Sequence, residues 1–194
     1  MRTLTFIFAL SAVISPALAL ADVIVDEGFE GGTIPSGWQV WQVGGTSTVY
    51  WIVDSWNPHS GSWHAEHGSH PSQDLDNWLV TETYDLSAYN VLTYSFWYSG
   101  YDSGNYTYTG FMLSTNASPT HTDFVEIEEL GAPPADYEEH SGDISAYAGN
   151  EYVTFAWQYT GLDGHGVLLD DVLIEAIDNA VQPTSLGQIK GIFK

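Results

Sequence analysis

Asp85-Leu86-Ser87-Ala88-Tyr89 runs into Leu92-Thr93-Tyr94-Ser95-Phe96-Trp97-Tyr98, and later Asp143-Ile144-Ser145-Ala146-Tyr147 runs into Val153-Thr154-Phe155-Ala156-Trp157-Gln158-Tyr159. In both stretches a short polar turn precedes a run in which every second side chain is apolar, the period of a strand with one buried face. The echo predicts two equivalent parts. In each, the turn carries the chain from one sheet to another, and alternate aromatic and aliphatic side chains fill the space between the sheets. The same alternation, bounded by Gly, Pro, Asn and Asp, recurs at 23–29, 40–42, 49–53, 63–66, 77–81, 108–114, 124–129, 137–143 and 166–174. Helical periods are scarce, so the expected fold is all-β, an antiparallel jelly-roll β-sandwich of about ten strands.

The 194 residues contain 25 Asp and Glu against 3 Lys and Arg, a formal charge of −22. The cations are Arg2, Lys190 and Lys194, leaving no permanent positive charge from Thr3 to Ile189. Phosphate neutralisation needs several Lys or Arg, so nucleic acid is excluded as a partner and an anionic membrane surface is disfavoured. With 44% apolar and 14% aromatic residues the chain is too rich in buriable surface to be a disordered acidic tail.

Arg2, the apolar run Leu4 to Ile14, Pro16 and the small residues to Ala21 read as a signal peptide over 1–21. Its removal takes the charge from −22 to −23, since Arg2 is the only charged residue there. The run is shorter than the roughly 18 to 20 residues that span a bilayer, so a secreted or cell-surface protein without direct membrane insertion is expected. One binding domain over 22–176 follows, then a linker and short tail over 177–194. The tail carries Lys190, Lys194 and apolar residues at 186, 189, 192 and 193, and reads either as a frayed end or as a docking or sorting segment. Cys is absent, so no disulfide restrains the unfolded chain.

The His-Glu-x-x-His, Gly-Lys-Ser and Gly-x-Ser-x-Gly signatures of common enzymes are missing. His59, His64, His67 and His70 are potential ligands for zinc or copper, but strand alternation argues against all four converging. The carboxylates are more telling. Asp170 and Asp171 interrupt the apolar last strand; strict alternation would turn one towards the core, with no Lys or Arg to neutralise it. A hard cation answers this, because calcium takes six to eight oxygens from carboxylates, carbonyls and water. The candidate carboxylates are Glu27 and Glu30 at the first strand, Asp54 and Glu66 in the middle and the Asp170-Asp171 pair, and such a site suits the place where the terminal strands meet a Gly-Ser loop such as Ser60-Gly61-Ser62. Among the aromatic residues, Trp97 and Phe111 are expected inside, and Tyr101, Tyr106 and Tyr108 form a candidate ligand-binding platform.

The order Phe29-Glu30-Gly31-Gly32, Ile34-Pro35-Ser36-Gly37-Trp38, Ser60-Gly61-Ser62, Asp76-Asn77-Trp78-Leu79-Val80-Thr81, Asp85-Leu86-Ser87, Asp143 to Gly149 and Leu169-Asp170-Asp171-Val172 resembles the cleaved-adhesin and choice-of-anchor J domains, which are related to MAM domains. The resemblance covers Val25 to Ile174. It implies a jelly roll similar to galactose-binding-like modules, structural calcium near the joined chain ends, and adhesion rather than turnover. The calcium role carries over to Glu30 and the Asp170-Asp171 pair, and less directly to the Ser60-Gly61 loop and Glu66.

The function expected is that of a secreted, non-catalytic, calcium-stabilised domain that recognises an extracellular glycan or surface protein. The alternatives are a carbohydrate-binding module that uses Tyr101, Tyr106 and Tyr108, and a glycoside hydrolase that uses Glu66, Asp170 or Asp171.

Overall fold

A computed structural model describes residues 21–44, 47–101 and 105–178. The leader up to residue 20 and the tail from 179 lie outside the described residues. The strands are β1 (Asp22–Glu27), β2 (Gln39–Gln42), β3 (Ile52–Asp54), β4 (His64–His67), β5 (Leu75–Tyr84), β6 (Tyr89–Tyr101), β7 (Tyr108–Ser114), β8 (Val125–Glu129), β9 (Glu138–Asp143), β10 (Val153–Gly161) and β11 (Gly166–Asp178). They form two antiparallel sheets of a jelly-roll sandwich. One has the order β3-β4-β11-β6-β9, with β1 also on β11, and the other the order β2-β5-β10-β7-β8.

The echoed motifs do equivalent work. Asp85 Oδ1 accepts from Ser87 N–H (3.0 Å) and Asp143 Oδ1 from Ser145 N–H (2.8 Å), each starting a tight turn. The first turn leads from β5 to β6 and the second from β9 to β10, so both carry the chain between sheets. Their apolar residues, Leu86 and Ile144, are buried in the one large core. The turns also bond to neighbouring chain, Leu86 N–H to the Asn150 carbonyl and Ile144 N–H to the Leu92 carbonyl, so the crossovers close one end of the sandwich without unpaired backbone groups at these positions.

Alternation decides most of the core. Leu92, Tyr94, Phe96 and Tyr98 of β6 face Phe111 and Leu113 of β7 and Phe155, Trp157 and Tyr159 of β10 across the interior. Trp97 is a correction: it falls between inward residues of β6, lies half-buried on the outer face, and stacks on His59 with ring centroids 3.9 Å apart.

β11 departs from strict alternation. Leu169 and Val172 both belong to the core although they are three positions apart, because the register with β6 shifts between Asp170 and Leu173. Asp171 and Val172 together oppose Phe96, a β-bulge, and Asp171 takes a left-handed φ of 47°. The bulge lets Leu169 and Val172 both reach the core, while Asp170 is buried against the loop into β4 and Asp171 is partly exposed, so strict alternation does not hold here.

Candidate functional site

The bulge sits where β11 changes neighbours. On one side Val167 to Leu169 pair with β4, while Val172 to Ala176 pair with β1. Between these ladders the backbone of Asp170 and Asp171 has no strand partner on that edge, and two loops fill the gap. One is Gly28 to Glu30, leaving β1; the other is His59 to Trp63, entering β4.

Side-chain oxygens tie the loops down. Asp170 Oδ2 accepts from the backbone N–H of His59 (2.8 Å) and Ser60 (3.2 Å), and its Oδ1 from Asp171 N–H (2.8 Å). Asp171 Oδ1 accepts from the Ser60 hydroxyl (2.7 Å), and its Oδ2 lies 2.6 Å from His59 Nδ1. Glu30 Oε1 accepts from Ser62 N–H (2.8 Å) and Trp63 N–H (3.1 Å). Glu30, Ser60, Asp170 and Asp171 therefore gather at one place. Glu66 points elsewhere, with its Oε1 accepting from the Tyr101 hydroxyl (3.0 Å).

Asp170 is completely buried. Burial pushes its carboxyl up to about 6, against the pull of three backbone N–H donors and with a push from the Asp171 charge. Gly28 marks the centre of the arrangement. A Cβ there would stand 3.3 Å from Asp171 Oδ1, 3.9 Å from Asp170 Oδ1 and 4.0 Å from Glu30 Cγ. This is a cradle of oxygens closed by a residue without a side chain, and its donor chemistry suits a hard cation. No three carboxylate or imidazole groups among the described residues form a ready-made metal shell, so carbonyls and water would have to complete one.

Gly61 is required by geometry. Its φ is +57°, and a Cβ would collide with the Glu30 carboxylate, whereas one at Gly31 meets nothing within 4 Å. Gly61→Ala is expected to lower stability by about 1–2 kcal/mol in urea unfolding and Gly31→Ala by far less. Equal losses would mean that the loop is not held through Glu30.

The four histidines are scattered. His59 covers Trp97, and His64 is buried in β4 with neither ring nitrogen hydrogen-bonded. His67 stacks on Tyr159 (4.0 Å) with Nε2 2.9 Å from the Asn77 amide, and burial holds its imidazole down to about 3. His70 Nδ1 accepts from Ser72 N–H in a loop (3.2 Å).

The expected tyrosine platform is divided between the two sheets. Tyr101 ends β6, its ring lying over Gly166 of β11 and edge-on to Trp56 (6.1 Å). Tyr106 just precedes and Tyr108 opens β7 of the other sheet, and they donate to Glu129 (2.8 Å) and Glu126 (2.7 Å) of the edge strand β8. Tyr106 also packs on the buried His165 (5.0 Å). What the residue patterns missed is Trp56, which is 67% exposed and lines an open cleft with Asp54, Glu66 and Tyr101. Its setting, Ser55-Trp56-Asn57-Pro58, is turn chemistry, the one local sign of a Trp outside a strand.

Hemagglutinin A of Porphyromonas gingivalis (strain ATCC BAA-308 / W83) is 27% identical over 190 aligned positions, covering 82% of this chain. The chain is homologous to hemagglutinin A. It spans 8% of that protein's length. The K3 cleaved adhesin domain of Lys-gingipain from P. gingivalis W83 superposes with a TM-score of 0.63 at 23% identity, over 79% of this chain and 98% of the adhesin domain. The CBM22-1 xylan-binding domain of Paenibacillus barcinonensis Xyn10C gives 0.54 at 14% identity, over 84% and 99%. The cleaved-adhesin fold is thus shared, and xylan-binding modules are built on the same sandwich. No family model matches the chain. No helix among the described residues is long and apolar enough to cross a membrane.

Proposed function

We propose that this is a secreted, non-catalytic adhesion domain that recognises an extracellular glycan or surface protein and is stabilised by calcium. The homology to hemagglutinin A across 82% of the chain carries the adhesion reading. The cleaved-adhesin and xylan-binding domains on the same fold support it. Calcium is supported by the cradle around Gly28, with Glu30, Ser60, Asp170 and Asp171 as the residues that would hold it. Bound there, the ion would supply the positive charge that no Lys or Arg in residues 21–178 provides. Fixing the loops from β1 and into β4 against β11 would tie the first strand to the last. The chain's own carboxylates and amides do the positioning.

Chelation should lower the melting temperature and added calcium restore it, with stability rising about 1.4 kcal/mol per tenfold excess over Kd. Asp171→Asn should blunt this response and the exposed loop change Asp136→Asn should leave it intact. An unchanged melting curve would remove the calcium part of the reading. Adhesion is tested separately, by agglutination of erythrocytes and glycan-array binding with and without chelator. Turnover of glycosides that persists after metal removal would instead favour a hydrolase acting through Glu66, Asp170 or Asp171.

A further inference from the structure

Trp56 leaves two-thirds of its surface in water beside a second ring and two carboxylates, in a cleft whose described lining includes none of the loop residues that hold Asp170. The Trp56 and Tyr101 rings stand at 87°, forming two walls of a corner that Asp54 and Glu66 also line among the described residues. The corner is built before any ligand arrives. Tyr101 lies over Gly166, where a Cβ would strike its ring, and its hydroxyl is anchored on Glu66 Oε1 (3.0 Å). The backbone N–H of Trp56 donates to Asp54 Oδ1 (2.8 Å) in a short turn, which fixes the start of the Trp56 loop.

We propose that this corner takes the Lys or Arg side chain of a protein partner. A cation over an aromatic face is attracted by the ring quadrupole, and its alkyl stem covers the exposed indole. Asp54 and Glu66 supply the opposing charge. Glu66 Oε2 lies 3.7 Å from Nε2 of the fully buried His64, whose ring nitrogens make no hydrogen bonds, so that oxygen keeps its capacity for an incoming donor. Charge complementarity fixes the class of occupant. Residues 21–178 contain no Lys or Arg to fill the corner from within, and a net charge of −22 draws cations towards it while repelling acidic sugars and phosphates. A flat neutral sugar needs one open ring face; the perpendicular walls with paired carboxylates match a compact cation better.

The inference deepens the adhesion reading and rests on it for the setting in which a protein partner is met. The test is NMR of the full chain with calcium, following the Trp indole N–H signals. The probes are the capped peptides Gly-Arg-Gly and Gly-Lys-Gly, the neutral control Gly-Gln-Gly, and methyl β-galactoside and methyl β-xyloside. The Trp56 signal, assigned by its loss in Trp56→Ala, should move with the basic peptides and less so as salt is raised. Trp56→Ala and the pair Asp54→Asn with Glu66→Gln should each weaken binding about tenfold. No movement with the basic peptides, an equal response to Gly-Gln-Gly, or movement with the glycosides alone would overturn the proposal. Agglutination that persists unchanged in Trp56→Ala would overturn the corner's part in adhesion and leave the adhesion reading standing.

Discussion

Trp157→Ala is expected to lower the free energy of unfolding by about 3–5 kcal/mol, the range for emptying a large aromatic from a packed core. Trp157 is 1% exposed on β10 and reaches the facing sheet, edge-on to Phe96 of β6 at 5.6 Å. It also packs on Phe111 (5.3 Å) and stacks on Trp38 at 5.8 Å and 14°. Each sheet would lose its central contact with the other, and rigid strands cannot collapse into the hole. The indole N–H of Trp157 is buried without a hydrogen-bond partner. Trp157→Phe removes that unsatisfied donor and keeps an aromatic body, so its cost should be much smaller, about 1 kcal/mol. Urea unfolding of the two variants checks the pair. If Phe costs as much as Ala, the indole is bonded in solution and the packing account is wrong. The effect also reaches the carboxylate cradle. Trp38 meets Phe29 edge-on at 5.9 Å, and Phe29, at a left-handed φ of 58°, adjoins Glu30. Loosening Trp38 frees a residue whose backbone is costly to hold, so Trp157→Ala should weaken the calcium response as well.

The strands were legible because their signal is local. In β6 and β10, alternation between apolar and polar residues is written within seven positions and survives whatever the neighbours are. The site was legible only where composition forced the issue, as at Asp170 and Asp171, two acids in an apolar strand without a cation to meet them. Their direction was not. A bulge is set by pairing with Phe96 on another strand, and nothing adjacent to Asp171 announces it. The same holds for Tyr101, whose orientation depends on Gly166 opposite it in the sheet, and for Trp56, whose exposure depends on how the loop into β4 lies. Glu66 shares the loop's neighbourhood in sequence but belongs to the outer face with Tyr101, so proximity along the chain misassigned its partners. Histidine types carried least information: His67 reads like a ligand and serves as a stacked, neutral core ring beneath Tyr159.

Acid should destabilise the metal-free protein by about 3 kcal/mol between pH 7 and about pH 4.5, through these core histidines. Burial holds His67 down to about 3 and His165 down to about 4, against 6.5 for a free imidazole. The unfolded chain therefore takes up protons below 6.5 that the folded chain refuses. The stabilisation is complete above that value and is lost as pH falls towards the folded values, at up to about 1.4 kcal/mol per pH unit for each histidine. Asp170 acts in the opposite sense. Its carboxyl, raised from 3.8 to about 6, is protonated in the folded state first, so acidification returns part of the loss between 6 and about 4. His67→Phe, which keeps the stacked ring, should flatten the curve, and Asp170→Asn should steepen it by removing the returning contribution. On the calcium reading, saturating metal steepens it too, since an ion bound to the Asp170 carboxylate competes with the proton. Stability that stays level or rises from neutral pH to about pH 4.5 would show that His67 and His165 accept protons where they lie, and with that the neutral stacked core beneath β4 would be lost.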